Sequence, residues 1–167
     1  MVQTYHDPLI NKYNDIQELV KTYQQISLRK VRVQHSLMNH YLPLYFPEVE
    51  MFFHSSRALW FTHFISHYPT PSSVLKYTQE EFIEAAWDVA GRKVDKGNWL
   101  INFYQTAKES IGLPLDENSQ AMDMFRVVLH EHQGLCKRLK EIEKAEGAFL
   151  QKMIIKRCSL FLVLALF

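Results

Sequence analysis

Hydrophobic side chains recur at alternating steps of three and four residues along two long stretches of the chain. This spacing keeps side chains on one face of an α-helix, so each stretch predicts a long helix with one largely apolar face, here called a seam. The first seam comprises Ile16, Leu19, Tyr23, Ile26, Lys30, Val33, Leu37 and His40. The second seam comprises Phe125, Val128, His132, Leu135, Leu139, Ile142, Glu146, Phe149 and Met153.

Each seam also contains polar residues, namely Lys30 and His40 in the first and His132 and Glu146 in the second. Polar residues at such positions lower stability but restrict register and partner choice in coiled coils. Two interpretations stay open from the sequence. The stretches form a coiled-coil seam, or each is an amphipathic helix packed on its neighbours.

An aromatic-rich insert separates the two seams. Pro43 and Pro47 predict an interruption of the first helix, because proline lacks a backbone N–H and clashes with the preceding turn. Apolar residues crowd every face of residues 49–67, which predicts one buried helix. Two prolines within residues 68–73 predict a rigid, extended connection.

Helix-end signals follow the connection. Thr78 and Glu81 have the spacing of a capping box, in which the Thr78 hydroxyl accepts from the backbone of Glu81 and the Glu81 carboxylate reaches back. The short helix that they open is predicted to end at Gly91 in a left-handed closing turn.

A further helix is predicted over residues 98–111, closed by Gly112 and Pro114. The last helix is predicted to begin near Asn118 or Ser119, because either side chain can cap its first turn.

These signals together predict an all-α fold, because no run alternates with period two for long enough to indicate a sheet. We expect two long heptad-patterned helices forming an antiparallel coiled-coil-like pair, with a small helical insert at the end away from the termini. Residues 1–14 are expected to be a linker from, or remnant of, an upstream domain, and residues 15–157 the helical middle domain. Residues 158–167 form an apolar tail that a truncation or frameshift explains better than the alternative, a core segment that has lost its context.

Composition adds modest constraints. The formal net charge is +1, so bulk electrostatics does not indicate nucleic-acid binding, whereas eleven Phe, eight Tyr and three Trp exclude a disordered chain. Cys136 and Cys158 lack the spacing of a zinc site or a disulfide framework, which is typical of a reducing cytoplasm. The apolar tail is about half of the roughly 20 residues that cross a bilayer, so no membrane partner is expected.

Histidines are the clearest candidates for metal chemistry. His63 and His67 lie four residues apart on a predicted helix, a spacing that can hold one metal ion. No third ligand is apparent nearby, so a structural role is favoured over a small metal-dependent enzyme. His130 and His132 flank Glu131 but point to different helix faces, which argues against joint ligation.

Four ordered pieces of the chain resemble the middle region of bacterial insertion-sequence transposases of the IS-one-ten type. They are Ser36-Leu-Met-Asn-His-Tyr-Leu-Pro-Leu-Tyr-Phe-Pro-Glu48, Tyr68-Pro-Thr-Pro71, Ala90-Gly-Arg-Lys-Val-Asp-Lys-Gly97 and Ser110-Ile-Gly-Leu-Pro114. The resemblance covers roughly residues 12–150. Each piece is weak alone, and their order and separation carry the similarity.

In that family, a RuvC-like nuclease domain with four acidic residues precedes the helical region, and a domain with a reactive serine follows it. Such carboxylates hold two divalent ions, so the resemblance implies a divalent metal for the missing RuvC-like domain only. Asp7 and Asp15 do not match the closely spaced aspartate pair of the family, and Ser159 lies in the apolar tail. No catalytic residue, metal ligand or cofactor is therefore assigned to this chain.

The resemblance implies a fragment that assembles a transposase on DNA, with structured guide RNA, in a homo-oligomer held by the helical seams. The residues expected to contact nucleic acid are Arg29, Lys30, Arg32, Arg92, Lys93 and Lys96. Lysine and arginine bind phosphates through charge, with little sequence preference. Clusters of this kind are also common on solvated helix faces. The alternative function is a stand-alone α-helical protein-interaction module.

Overall fold

The computed structural model describes residues 8–54, 58–91 and 95–164, with side chains between residues 14 and 145 of those ranges. The all-α class is confirmed for this described part, which contains helices and no strand. The described residues form seven α-helices: α1 Pro8–Ser36, α2 Leu42–Tyr45, α3 Ala58–His67, α4 Pro71–Leu75, α5 Gln79–Ala86, α6 Lys96–Glu109 and α7 Gln120–Leu164. A π-helical turn, Leu37–Tyr41, precedes α2, and a 3-10 helix, Pro47–Phe52, follows it.

The chain divides into two compact units. Unit 1 combines the residues up to Arg29 with those from Lys137 onward, and unit 2 spans Lys30–Cys136. The two long helices α1 and α7 contribute to both units, whereas α2 to α6 lie in unit 2.

Unit 1 contains the early part of the first seam. The seam positions Ile16, Leu19, Tyr23 and Ile26 are partly buried, while most other side chains of this part of α1 are exposed. The Tyr23 hydroxyl donates a hydrogen bond to a carboxylate oxygen of Glu143 on α7, at 3.1 Å. The chain itself therefore covers this face of α1. Glu146, Phe149 and Met153 of the second seam lie outside the described side chains.

The first seam ends at Leu37, and the prediction that it continues to His40 is wrong. His40 is exposed, whereas Leu42 is buried. The backbone N–H of Leu42 bonds to the carbonyl of Leu37, five residues back, so the π-helical turn inserts one residue and rotates the following side chains. Pro43 explains the position of this turn, because its ring and its missing N–H disrupt a regular helix over the preceding residues.

The single buried helix predicted over residues 49–67 is wrong. Its first part is the end of the 3-10 helix, Phe53 has an extended backbone, and the α-helical residues among those described in this range are the residues of α3. Pro47 starts the 3-10 helix, and Val49 is its buried member. The crowded apolar pattern arises because short elements in different conformations all pack into one core.

The rigid connection predicted over residues 68–73 is correct only in its first part. Thr70 is extended, but α4 begins at Pro71, where proline suits the first turn of a helix. Thr70 and Ser73 form a capping box that was not predicted, with both bonds at 3.3 Å. The capping box predicted at Thr78 and Glu81 is confirmed, with bonds of 2.9 and 3.4 Å.

Two glycines serve close packing. Gly91 does not form the predicted left-handed turn, since its φ is not positive and α5 ends at Ala86. A Cβ atom on Gly91 would lie 2.7 Å from Nε1 of Trp60. Glycine has no side chain and therefore leaves room for the Trp60 indole. A Cβ atom on Gly112 would lie 2.7 Å from the carbonyl carbon of Tyr45.

The end of α6 and the start of α7 lie close to their predicted positions. Helix α6 spans Lys96–Glu109, against a prediction of 98–111. The Ser119 hydroxyl accepts a hydrogen bond from the backbone of Met122 at 3.2 Å, which confirms Ser119 as a cap of α7.

The core of unit 2 is aromatic. Phe103 of α6 lies at its centre and is fully buried. Its ring centroid lies between 5.0 and 6.2 Å from those of five other rings, in edge-on, tilted and stacked arrangements. Those rings belong to Phe46, Phe52, Phe64, Phe82 and Trp99. Such pairs stabilise a core beyond the burial of apolar area.

Candidate nucleic-acid interface

The basic residues of α1 do not share one environment. Arg29 and Arg32 are three residues apart on the helix, and both are exposed. Lys30 is partly buried on the first seam, and its positive charge acts on buried His132. The predicted cluster therefore separates into two arginines that face outward and one lysine turned toward the seam.

The structure describes only one residue of the second predicted basic cluster, Lys96. Arg92 and Lys93 lie outside the described residues. The Lys96 ammonium donates a hydrogen bond to the Trp87 carbonyl and lies 4.8 Å from the centroid of the Trp87 indole. This cation–π contact ties Lys96 to the turn after α5, which reduces its freedom to meet a phosphate.

A polar cluster lies inside unit 2, between α3 and α7. It consists of Thr62, His132, Gln133 and Cys136, all of them buried. The Thr62 hydroxyl donates to the Ala58 carbonyl at 2.8 Å. Because that hydroxyl proton is used, the N–H at Nδ1 of His132 donates to the Thr62 oxygen, at 3.4 Å.

The rest of the polar cluster secures α7 against α3. The Gln133 amide donates to the Thr62 carbonyl at 2.9 Å. The Cys136 thiol, which is not part of a disulfide, lies 3.8 Å from Nδ1 of His132. Burial, followed by the nearby charge of Lys30, lowers the pKa of His132 to about 4, so its imidazole is neutral near pH 7. A neutral, enclosed imidazole is suited to a structural role.

Two further pairs of histidines lie on α7 and α3, namely His130 with His132 and His63 with His67. His130 is exposed and His132 is buried, which confirms that they lie on different faces of α7. His63 and His67 are both exposed, although Phe64 and Ile65 between them are buried. The sequence favours a structural role for this pair, and the structure adds that both side chains lie on the exposed face of α3.

Glu48 forms an ordered contact that sequence reasoning missed. Its carboxylate accepts from the Ser110 hydroxyl and, at 3.0 Å, from the backbone N–H of Ile111. Partial burial opposes the charged form, but these hydrogen bonds outweigh it and lower the pKa of Glu48. The contact holds the loop after α6, leaving the Ile111 side chain 86% exposed. Glu48 and Ser110 occur in two of the transposase-like pieces, but their spacing gives no hint of contact.

Within the described part of the chain, no three or more His, Cys, Asp or Glu side chains come together in a group that could hold a metal ion. Among the same residues, no helix is long and apolar enough to cross a membrane. Comparison with protein-family models, curated proteins and solved structures finds no match for the chain. The transposase resemblance therefore depends only on the four sequence pieces.

Proposed function

We propose that the chain is a helical assembly module of an insertion-sequence transposase of the IS-one-ten type, catalytically incomplete by itself. The nuclease-like and serine chemistry would be supplied by parts of the transposase that this chain lacks. The resemblance of the four sequence pieces and the all-α architecture of the described residues both support this assignment. It places the protein in the cytoplasm with no membrane partner.

The observation that carries the proposal is the contribution of α1 and α7 to unit 1. Within its described residues unit 1 is built from parts of α1 and α7, and its α1 seam is partly buried by the chain itself. Chain direction favours an antiparallel pair, because α1 leaves unit 1 at Arg29 and α7 enters it at Lys137. The Tyr23–Glu143 hydrogen bond joins the two segments. A paired-helix arm of this kind is suited to subunit contacts.

Contacts between copies would use apolar side chains that the fold leaves exposed on α1. Val20 is 40% exposed, Leu28 62% and Val31 51%. The first seam itself is already covered in part within one chain, so it is the weaker choice for contacts between subunits. We propose a homo-oligomer on this basis.

Nucleic-acid contact would depend mainly on the arginines of α1. Arg29 and Arg32 are exposed, and guanidinium groups bind phosphate oxygens with two parallel hydrogen bonds. Duplex DNA and structured guide RNA both present a phosphate backbone, so this contact would carry little base preference.

The test is binding of the full chain to labelled duplex DNA and structured RNA across a salt series. We expect affinity to weaken by about tenfold or more between about 50 and about 200 mM salt, because bound phosphates release counterions. Arg32→Glu should weaken binding several-fold and reduce the slope of log affinity against log salt by about one. Fluorescence anisotropy measures both quantities.

Lys108→Glu provides the matched control. Lys108 is exposed near the end of α6, and its reversal changes net charge by the same amount. Equal loss with Lys108→Glu would show that only bulk charge matters. Absence of binding at low salt would contradict the nucleic-acid part of the proposal.

A stand-alone protein-interaction module is the second candidate, favoured by exposed apolar residues near the Glu48 contact. Ile111 is 86% exposed and Met51 72%, and Met51 follows Glu48 by one turn of the 3-10 helix. Exposed apolar residues that lie together mark protein-binding surfaces. This candidate predicts that nucleic acid does not bind even at low salt.

A further inference from the structure

The exposed pair His63 and His67 lies on adjacent turns of α3, and we infer that it is a two-histidine chelate for a late first-row divalent metal ion. The residues are four apart, a spacing that places both imidazoles on one helix face. Their ring centroids are 4.8 Å apart, with the ring planes at 74°. Both side chains are exposed, so an ion can reach them without unfolding α3.

The hydrogen bonding of His67 prepares it to bind a metal. Its Nδ1 lies 3.0 Å from the carbonyl oxygen of His63. A carbonyl oxygen can only accept, so the proton is on Nδ1 and the lone pair is on Nε2. Metal-binding histidines in proteins use this arrangement, in which one nitrogen donates to a carbonyl and the other binds the ion. His63 adds a second imidazole one turn earlier, and an imidazole binds a metal ion through its unprotonated ring nitrogen.

The imidazole ligands determine which metal ions the His63 and His67 pair can bind. Imidazole nitrogen suits Ni²⁺, Cu²⁺ and Zn²⁺, whereas Mg²⁺ prefers oxygen ligands. Two protein ligands leave the remaining positions to water. This pair therefore forms an open site, not the closed four-ligand site of structural zinc. The inference is independent of the proposed transposase function.

The experiment is a titration of the full, tag-free chain with Ni²⁺ at about pH 8, followed by calorimetry and by thermal unfolding. We expect saturable binding, and a rise in the midpoint of unfolding, because an ion that joins two turns binds only the folded helix. Either His63→Gln or His67→Gln should weaken Ni²⁺ binding by about tenfold or more. With one histidine removed, the bound ion no longer has a second imidazole held close by at high effective concentration. Mg²⁺ should give neither effect.

His130→Gln is the matched control, because His130 is also an exposed histidine on a helix. It should leave Ni²⁺ binding unchanged. Circular dichroism of each variant checks that the helices are retained, as expected for exposed side chains. Unchanged Ni²⁺ affinity in the His63→Gln/His67→Gln double variant, or equal loss with His130→Gln, would overturn the inference.

Discussion

Replacing Phe103 with alanine should reduce the free energy of unfolding by about 3 to 5 kcal/mol. The ring is fully buried, and it contacts five other aromatic rings in unit 2. Its removal leaves a cavity that rigid neighbouring rings fill poorly. Typical domains have a stability of about 5 to 15 kcal/mol, so the variant should be marginal or unfolded. Urea unfolding monitored by circular dichroism measures the change.

Ile111→Ala is the control for Phe103→Ala. The Ile111 side chain is 86% exposed, so its truncation should change stability by no more than about 0.5 kcal/mol. Phe103→Leu should fall between the two, because it keeps part of the buried volume. A loss below about 1 kcal/mol for Phe103→Ala would contradict the central position of this ring.

Acidification should destabilise the protein through His132. Its pKa is lowered from 6.5 to about 4 in the folded state, first by burial and then by the charge of Lys30. The unfolded chain therefore binds a proton more readily than the folded chain between those two pH values. Stability from this group is fully present above about pH 6.5 and is lost as the pH falls to about 4.

The expected loss from His132 is about 3 kcal/mol, since each pKa unit between the two states corresponds to about 1.4 kcal/mol. Carboxylates with lowered pKa values, such as Glu48, also lose stability in acid, so the test is a difference between variants. His132→Leu should be less stable than the parent at pH 7 but should show a flatter dependence between pH 7 and pH 4. Parallel curves for the two proteins would contradict the assignment to His132.

The seams could be predicted because helical periodicity is a local property of the sequence. Every described member of the two seams except His40 is buried or partly buried. His40 failed because its position depends on a π-helical turn, which adds one residue between Leu37 and Leu42 without a clear signature. Pro43 marks an interruption but does not specify its geometry.

The insert was harder to predict because its elements are short. Residues 47–52 carry two glutamates and α3 is mostly apolar, but both place apolar residues in the core, and hydrophobicity alone cannot separate a 3-10 helix from an α-helix. Capping was predictable at Thr78, where a glutamate follows three residues later. At Thr70 the partner is Ser73, which has a weaker signature.

The candidate sites depend on contacts between residues far apart in sequence. Thr62 and His132 are 70 residues apart, and Glu48 and Ser110 are 62 apart, so neither pair is visible as a motif. The two seams still identified His132 as an inward-facing residue. The His63 and His67 pair is local and was visible, but its exposure required the structure.

We propose that α1 and α7 form an antiparallel paired-helix arm in unit 1, and spin-label distances test this arrangement most directly. Exposed Gln17, Gln24, Lys137 and Lys144 provide label sites, in a background with both cysteines replaced by serine. With Tyr23 beside Glu143, antiparallel helices place labels at 24 and 144 close together. They separate labels at 17 and 137 by about 18 Å along the axis, at about 1.5 Å per residue. Short distances for both pairs would indicate a parallel arrangement and would contradict the account.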